Sequence, residues 1–230
     1  MPIYQLDHFI AFPPVHHAEE GLLAVGGDLR EERLLLAYRS GIFPWYSEGE
    51  PLLWWSPDPR MVLFPDEFHC AQSLKRVLKR GTYTVTLDQA FPRVIRACGE
   101  TPRPGQDGTW ITSEMEAAYV GLHRRGHAHS IECWRDGDLA GGLYGVAIGG
   151  CFFGESMFSH QDNASKVAAH ALTTAAKAWG IPFIDCQVAN PHLLSLGARE
   201  ISRKAFCQLL RSGLNTPLSP EAWKSLPHPI

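Results

Sequence analysis

The chain of 230 residues is 45% hydrophobic and 20% charged, which excludes extensive disorder and predicts one large domain or a small domain beside a medium one. The formal net charge of −3 excludes a uniformly basic nucleic-acid-binding protein. Basic residues are concentrated in the middle third, where residues 60–126 carry 10 Lys and Arg against 7 Asp and Glu, so only a local surface could meet an anionic partner.

Six cysteines occur without any CxxC pair, and no signal-peptide pattern opens the sequence. Reduced thiols in the cytoplasm are therefore expected in place of disulfides or a zinc site. No run of about 18 apolar residues is present, so neither a transmembrane helix nor a membrane partner is predicted.

Turn-forming and aromatic residues dominate the first 62 residues. GLLAVGGDL over 21–29 precedes a helical pattern, EERLLLAYRSG, that Gly41 is expected to stop. IFPWYSEGEPLLWWSPDPR over 42–60 holds three Trp and four Pro, which predicts an irregular, aromatic-packed segment. We interpret residues 1–62 as a small N-terminal α/β subdomain whose aromatic side chains pack against a second domain, residues 63–230.

The next helical pattern, AQSLKRVLKRG over 71–81, has one apolar face and one basic face. The basic face has no acidic neighbour four residues away to relieve its repulsion, and it consists of Lys75, Arg76, Lys79 and Arg80. On spacing alone a solvated face and a contact with an RNA backbone are equally good interpretations.

Two further helices are predicted in the middle of the chain. TYTVTLD over 82–88 alternates as a strand does, and Asp88 is expected to cap the helix that follows it. PRPGQDGT over 102–109 is predicted as a loop. Ser113 and Glu116 have capping-box spacing at the start of a helix that Gly126 stops.

From residue 127 the pattern changes to three strands in a meander, then a helix over 165–179, a strand over 181–188 and a last helix from Ser202. This order predicts an α+β fold, a mixed sheet with helices on its faces. The order also resembles the acyl-CoA N-acyltransferase fold, as a fold-level analogy.

Two acids interrupt apolar strands of this region. Glu155 follows CFFG, and Asp185 lies inside IPFIDCQV, two residues before Gln187. A buried carboxylate needs a hydrogen bond, an ion pair or a function, so each acid fits either a helix cap or a site that binds cations or moves protons. Asn163 and Ser165, by contrast, stand where the helix after Glu155 needs an N-cap.

Other familiar sites are not supported by the sequence. There is no GxxxxGK[ST] loop, no GxGxxG between a strand and a helix, and no GxSxG elbow. His123, His127 and His129 are divided between a helix end and a strand, with no carboxylate or thiol at suitable spacing, so no metal site is expected there. The turn after CFFGE also lacks the glycine-rich pyrophosphate loop of coenzyme-A acyltransferases.

Taken together, the longer motifs resemble the leucyl/phenylalanyl-tRNA–protein transferases of bacteria. The resemblance spans residues 10–210 and rests on strings such as GLLAVGGDL, LLLAYRSGIFPWY, LLWWSPDPR, TWIT, GGLYG, GESMFS–NASK and IDCQV. It implies transfer of Leu or Phe from aminoacyl-tRNA to the α-amine of proteins with N-terminal Lys or Arg, which marks them for degradation. It also implies the acyltransferase-like fold, with tRNA in place of coenzyme A and no cofactor. We expect a monomer in the cytoplasm.

The resemblance also assigns site residues by position. It implies that Asp185, Gln187 and Glu155 surround the reaction centre, and we hypothesise that Asp185 polarises Gln187, whose carbonyl accepts from the incoming amine. It places Trp110 against the terminal adenosine of the tRNA. It favours an acceptor-stem phosphate contact for the basic helix. The implied aminoacyl pocket consists of Leu143, Phe152, Leu172 and Ile184, which on spacing alone also fit a plain core.

Some positions depart from the family pattern, and rival functions stay open. Leu143 stands where Met is common, Leu172 stands where an aromatic is expected, and Ala169 is smaller than expected, so the pocket predicts no donor preference. Proton transfer assisted by the terminal ribose is an alternative in which the three polar residues only orient substrates. A coenzyme-A-dependent N-acyltransferase and a non-catalytic module that binds tRNA or peptide are the remaining alternatives.

Overall fold

The computed structural model describes residues 3–102, 109–219 and 221–227, and within them the chain forms two β-sheets with helices packed around the larger one. The predicted loop over 102–109 lies largely outside the described residues. The strands are Tyr4–Leu6 (β1), Leu22–Gly26 (β2), Phe43–Pro44 (β3), Leu53–Trp55 (β4), Arg60–Leu63 (β5), Thr84–Leu87 (β6), Ala128–Arg135 (β7), Asp138–Ile148 (β8), Cys151–Ser159 (β9), Phe183–Gln187 (β10) and Arg199–Ile201 (β11). The helices are Glu31–Arg39 (α1), Gln72–Arg80 (α2), Phe91–Glu100 (α3), Ser113–Arg124 (α4), Ala164–Trp179 (α5), Pro191–Ser195 (α6) and Arg203–Leu214 (α7).

The N-terminal sheet has the strand order β1-β2-β4-β3. Its short strands β3 and β4 fall in the segment that the prolines predicted to be irregular. Pro44 is tolerated because β3 is an edge strand, where a missing N–H costs no ladder hydrogen bond. Trp54 is fully buried, and its indole N–H donates to the Gly26 carbonyl over 2.9 Å. The aromatic packing predicted for this segment is therefore present.

The larger sheet has the strand order β11-β5-β10-β9-β8-β7-β6. Strands β6 to β9 form an antiparallel meander, and β10 lies parallel to β9 after the α5 crossover. β5 then pairs antiparallel with both β10 and β11. This mixed sheet confirms the predicted α+β class, whereas the predicted domain boundary between residues 62 and 63 stays a prediction.

Helices cover both faces of the larger sheet, as predicted. α3, α4 and α7 contribute to one apolar cluster, whereas α2 and α5 contribute to the other. α5 approaches β8 closely at Gly141, where a Cβ atom would lie 2.6 Å from the Cβ of Ala164. None of the described helices is long and apolar enough to cross a membrane.

Three of the predicted helix caps are wrong in detail. The cap of α4 is Thr112, whose hydroxyl accepts from the Met115 amide over 3.2 Å, one residue earlier than predicted. Because the third residue of the helix is then Met115 and not Glu116, the predicted capping box does not form. Asp88 does not cap α3. Its carboxylate accepts from the Ser130 amide over 2.8 Å and bonds His129, because its own backbone turns to φ 58°.

The start of α5 also differs from the prediction. Asn163 occupies the N-cap position with φ 65° and makes no side-chain cap bond. The first-turn amide of Ser165 donates instead to the hydroxyl of Ser159 over 3.2 Å. A residue six positions earlier, on the preceding strand, thus replaces the local cap that the sequence suggested.

Candidate active site

A cavity of about 910 Å³ opens where β9 and β10 stop pairing. The two strands are paired up to Asp185, which lies opposite Phe153, and beyond this point Glu155 and Gln187 face the space between them. The cavity is lined by all four predicted pocket residues, Leu143, Phe152, Leu172 and Ile184. Trp110 also lines it. The structure therefore brings the predicted apolar and polar residues to one place, apart from Asp185 and the basic helix.

The apolar end of the cavity is built by three adjacent strands and one helix. Leu143, Phe152 and Ile184 come from β8, β9 and β10, and Leu172 comes from α5 above them. Each is at least 96% buried. Because the sheet holds three of these residues and the helix the fourth, this end is an apolar slot between the sheet and α5.

Asp185 lies behind the polar wall and is paired with an arginine. The carboxylate is fully buried and accepts two hydrogen bonds from the guanidinium of Arg60, at 2.9 and 2.7 Å. The Arg60 guanidinium lies 4.8 Å from the ring centroid of Phe43 and 4.5 Å from that of Phe206. The partner that a buried acid requires was expected, but its identity could not be read from a position 125 residues away.

Asp185 contacts Gln187 through the backbone only. Its Oδ1 accepts from the Gln187 amide N–H over 3.0 Å, and Gln187 adopts φ 65°, a left-handed conformation that is uncommon for a residue with a side chain. The side-chain amide of Gln187 turns instead toward Glu155, and Nε2 donates to Oε1 over 2.9 Å. The carboxylate that bonds the Gln187 side chain is thus Glu155, and the polarising contact predicted for Asp185 is wrong in its partner.

Glu155 is held by a chain of two buried tyrosines that sequence reasoning missed. The Tyr119 hydroxyl donates to Glu155 Oε2 over 3.1 Å, and the Tyr38 hydroxyl hydrogen-bonds that of Tyr119. Burial raises the pKa of Glu155 to about 7, although the hydrogen bonds from Tyr38, Tyr119 and Gln187 act in the opposite direction. Burial also raises the pKa of both tyrosines well above 10, so they remain neutral donors.

The mouth of the cavity carries aromatic and polar side chains. Trp110 lies on the lining with Trp45, which is 40% exposed and packs against Trp55 with ring centroids 5.8 Å apart. His192 also lines the cavity, and burial lowers its pKa. No signal in the sequence distinguished Trp45 and His192 from the other aromatic and histidine residues.

The basic helix α2 does not line the cavity but packs against α5, which does. Its four predicted cations, Lys75, Arg76, Lys79 and Arg80, are all exposed. Within residues 3–102, 109–219 and 221–227, none of them forms an ion pair with an acid. The helix therefore presents an uncompensated positive surface.

The cavity has an apolar end and a polar end, and together they determine the chemistry that it allows. The apolar slot can hold a hydrocarbon or aromatic side chain, and the Glu155–Gln187 pair offers a proton acceptor and a carbonyl oxygen beside it. No three His, Cys, Asp or Glu side chains of the described residues are grouped so that they could hold a metal ion. The site is thus suited to joining an apolar group to a nucleophile that must lose a proton.

Comparison with known proteins gives consistent matches along the chain. The family model described as leucyl/phenylalanyl-tRNA protein transferase matches residues 62–211, and the model of its N-terminal domain matches residues 27–58. The leucyl/phenylalanyl-tRNA–protein transferase of Syntrophus aciditrophicus is 55% identical over 228 residues, which cover 99% of this chain and 95% of that protein. The corresponding protein of Pseudomonas fluorescens is 56% identical over 211 residues, 90% of this chain and 93% of that one.

Similarity to solved structures is weaker. A GCN5-related N-acetyltransferase from Kribbella flavida aligns over 73% of this chain and 60% of that chain, with 11% identity and a TM-score of 0.40. A similarity at this level carries no argument about the site.

Proposed function

The chain belongs to the leucyl/phenylalanyl-tRNA protein transferase family, and we propose that its cavity is where a leucine or phenylalanine carried by tRNA is joined to the α-amine of an acceptor protein. The protein is an aminoacyltransferase of that family. The observation that carries the assignment to this cavity is the Glu155–Gln187 pair, which lies at the open end of an apolar slot.

The slot takes the side chain of the donor amino acid. Leucine and phenylalanine share apolarity and comparable size, and Leu143, Phe152, Leu172 and Ile184 offer only hydrocarbon and aromatic surface to them. Polar amino acids would lose hydrogen bonds to water in this slot without replacing them, which disfavours their transfer.

Asp185 is a positioning residue in this proposal. Arg60 neutralises its charge, and Asp185 in turn fixes the Gln187 backbone in its left-handed conformation. This conformation directs the Gln187 side chain to Glu155, so Nε2 is occupied and Oε1 is available to the incoming amine. The ion pair thus acts on the reaction through the orientation of Gln187.

The reaction needs alignment and removal of protons. The amine nitrogen attacks the ester carbonyl carbon, the bond from that carbon to the ribose oxygen breaks, and an amide forms. Glu155 takes a proton from the ammonium, and the ribose oxygen leaves with the second proton. A base with a pKa of about 7 is well matched to neutral pH, and alignment of two bound substrates supplies much of the remaining rate.

A proton route through the terminal ribose is the alternative mechanism. In that case the acceptor reacts as the free amine, which has already lost one proton to water, and Glu155 and Gln187 only bind and orient it. The neighbouring ribose hydroxyl then passes the second proton from the attacking nitrogen to the leaving oxygen. The two routes differ in whether the rate follows the ionisation of Glu155.

The acceptor is proposed to begin with Lys or Arg. Because Arg60 neutralises Asp185, Glu155 is the carboxylate of the three site residues that remains to attract a positive acceptor. The product then carries an apolar first residue that marks it for degradation.

The tRNA is proposed to lie over the mouth of the cavity, with its terminal adenosine on Trp110 and its acceptor stem on α2. Trp110 is part of the cavity lining, and stacking on aromatic rings does not depend on base identity. Exposed cations contact phosphates without reading sequence, so the acceptor stem of any tRNA could bind the four cations of α2, Lys75, Arg76, Lys79 and Arg80. The protein is proposed to act as a monomer in the cytoplasm.

The direct test is transfer of radiolabelled phenylalanine or leucine from charged tRNA to a peptide that begins with Arg, with a peptide that begins with Gly as control. Label on the Arg peptide alone is the expected result. No transfer from either donor while tRNA still binds would overturn the proposal in favour of a non-catalytic binding module. Saturable binding of coenzyme A in a parallel titration would favour an acyltransferase that uses coenzyme A.

A further inference from the structure

The ring of Phe152 separates the apolar slot from the C-terminal segment of the chain. Phe152 lines the cavity, while the indole of Trp223 stacks on it with ring centroids 5.1 Å apart and an interplanar angle of 24°. Trp223 itself is not part of the lining. One face of the slot is therefore a single aromatic ring, with a second ring behind it.

The backbone of β8 restricts the position of the Phe152 ring on another side. The ring lies over Gly145, where a Cβ atom would be only 2.5 Å from Cζ of Phe152 and 2.2 Å from the Phe153 carbonyl oxygen. The ring is already as close to β8 as a glycine allows. The contact of the Phe152 ring with Gly145 is made by the sheet backbone. Its contact with Trp223 is made by a side chain, which can be removed without altering the sheet.

Trp223 is held in place by two further rings. His129 stacks on the indole at 4.4 Å and 13°, and the imidazole is oriented by a 2.6 Å hydrogen bond to Asp88. Trp179, at the end of α5, packs at 4.7 Å and 55°. The segment that carries Trp223 is tied to the same helix end, because the Ser219 amide donates to the Trp179 carbonyl over 3.1 Å.

Trp223 retains this position at a cost. Its backbone has φ 62°, a region that bulky side chains rarely adopt, and its buried indole N–H has no hydrogen-bond partner among the residues that the structure describes. Such a conformation persists only where surrounding contacts determine it, and here those contacts are the three rings around the indole.

We propose that Trp223 is a positioning residue that sets the depth of the donor slot by holding Phe152 in place. This inference rests on the proposed function, since it assumes that the slot takes the donor side chain. Without the indole, the Phe152 ring can withdraw toward the vacated space and the slot becomes deeper. A deeper slot is filled by phenylalanine but leaves a void around leucine, so the preference between the two donors changes.

The test compares the two donors in Trp223→Ala and Trp223→Phe variants. In the alanine variant, kcat/KM for phenylalanine relative to leucine should rise about fivefold, mainly because KM for leucyl-tRNA increases. The Trp223→Phe variant keeps a flat ring and removes the unpaired N–H, so its ratio should stay within about twofold of the parent. If the alanine variant does not fold, Trp223→Leu, which fills space without a flat ring, should shift the ratio in the same direction.

A matched control is Leu226→Ala, which removes another side chain of the same segment that packs on the same apolar cluster. It should leave the donor ratio unchanged. The inference is overturned if Trp223→Ala and Trp223→Leu lower kcat/KM for the two donors by equal factors. It is also overturned if Leu226→Ala shifts the donor ratio as much as these two variants do. Failure of the proposed function itself would look different, because the unaltered protein would then transfer neither donor.

Discussion

At the scale of single residues, the surroundings of Glu155 decide what the site can do. Burial disfavours the charged form of this carboxyl and raises its pKa to about 7, whereas Asp185 is paired with Arg60. Two acids that look equivalent in the sequence therefore have different roles: one is suited to accept a proton and the other is suited to hold Gln187 in place.

The first prediction is that Glu155→Gln lowers kcat/KM about 10²-fold or more, because the base is lost. The contacts themselves can be kept, since the amide oxygen of the variant can accept from Gln187 and its NH₂ group can donate to the Tyr119 hydroxyl, which reverses that bond. In the unaltered protein, kcat/KM should rise with pH through about 7, as Glu155 becomes a carboxylate that can take a proton from the ammonium, and it should not rise again above 8. The variant has no base, so its kcat/KM should rise only near 8, as the acceptor amine loses its proton to solvent. A pH–rate profile measured with saturating charged tRNA tests this.

Two results would contradict the role of Glu155 as base. One is a variant whose kcat/KM still rises with pH through about 7, and the other is a variant that loses less than about tenfold in rate, which would favour the ribose-assisted route. Stability gives an independent check on the raised pKa. Because the folded state favours neutral Glu155, the unaltered protein should lose stability as pH rises from about 4.5 to about 7 and level off above that, and the variant should lack this loss.

At the scale of elements, periodicity was a sound guide to helices and strands, but the sequence predicted the N-terminal caps of α3, α4 and α5 wrongly. The meander β7–β8–β9, the crossover helix α5 and the basic helix α2 are where the alternation and the 3.6-residue pattern predicted them. The caps differ because a cap needs only one hydrogen bond to the first turn, and a residue distant in sequence can provide it, as Ser159 does for α5.

The second prediction concerns α2 and the tRNA. Lys75→Glu with Lys79→Glu should weaken binding of charged tRNA, and the slope of log K against log salt should become shallower by roughly two, since two phosphate contacts are lost. Filter binding at several salt concentrations measures this slope. A matched control is Lys204→Glu with Arg211→Glu on α7, which makes the same change in charge at exposed positions. Equal slopes for the two double variants would remove α2 from the tRNA surface.

At the scale of the whole molecule, Arg60 joins three parts of the chain. Its guanidinium lies between Phe43 of the N-terminal sheet and Phe206 of α7, and it binds Asp185 at the centre of the larger sheet. The site is therefore attached to the packing of the N-terminal sheet and of α7 through one side chain. We expect the N-terminal sheet and the larger sheet to unfold together for this reason.

The third prediction is that Arg60→Met lowers the free energy of unfolding by about 3–5 kcal/mol, since it leaves the Asp185 charge buried and unpaired. Adding Asp185→Asn should recover part of this loss, because the unpaired charge is then removed. Denaturant unfolding measures both. As a control, Arg199→Met removes an exposed pair with Glu67 and should lower the free energy of unfolding far less than Arg60→Met does. The interpretation fails if the double variant is no more stable than Arg60→Met.

The sequence by itself determined the α+β class, the family and some of the residues that line the cavity, because these depend on periodicity and on long motifs that are local in the chain. It also identified Glu155 and Asp185 as acids in need of an explanation. Only the tertiary structure decided which partner each acid has: Arg60 for Asp185, and Tyr119 with Gln187 for Glu155. The physical reason is that a buried charge is set by the groups around it in space, and here these come from β5, α4 and β10, up to 125 residues apart.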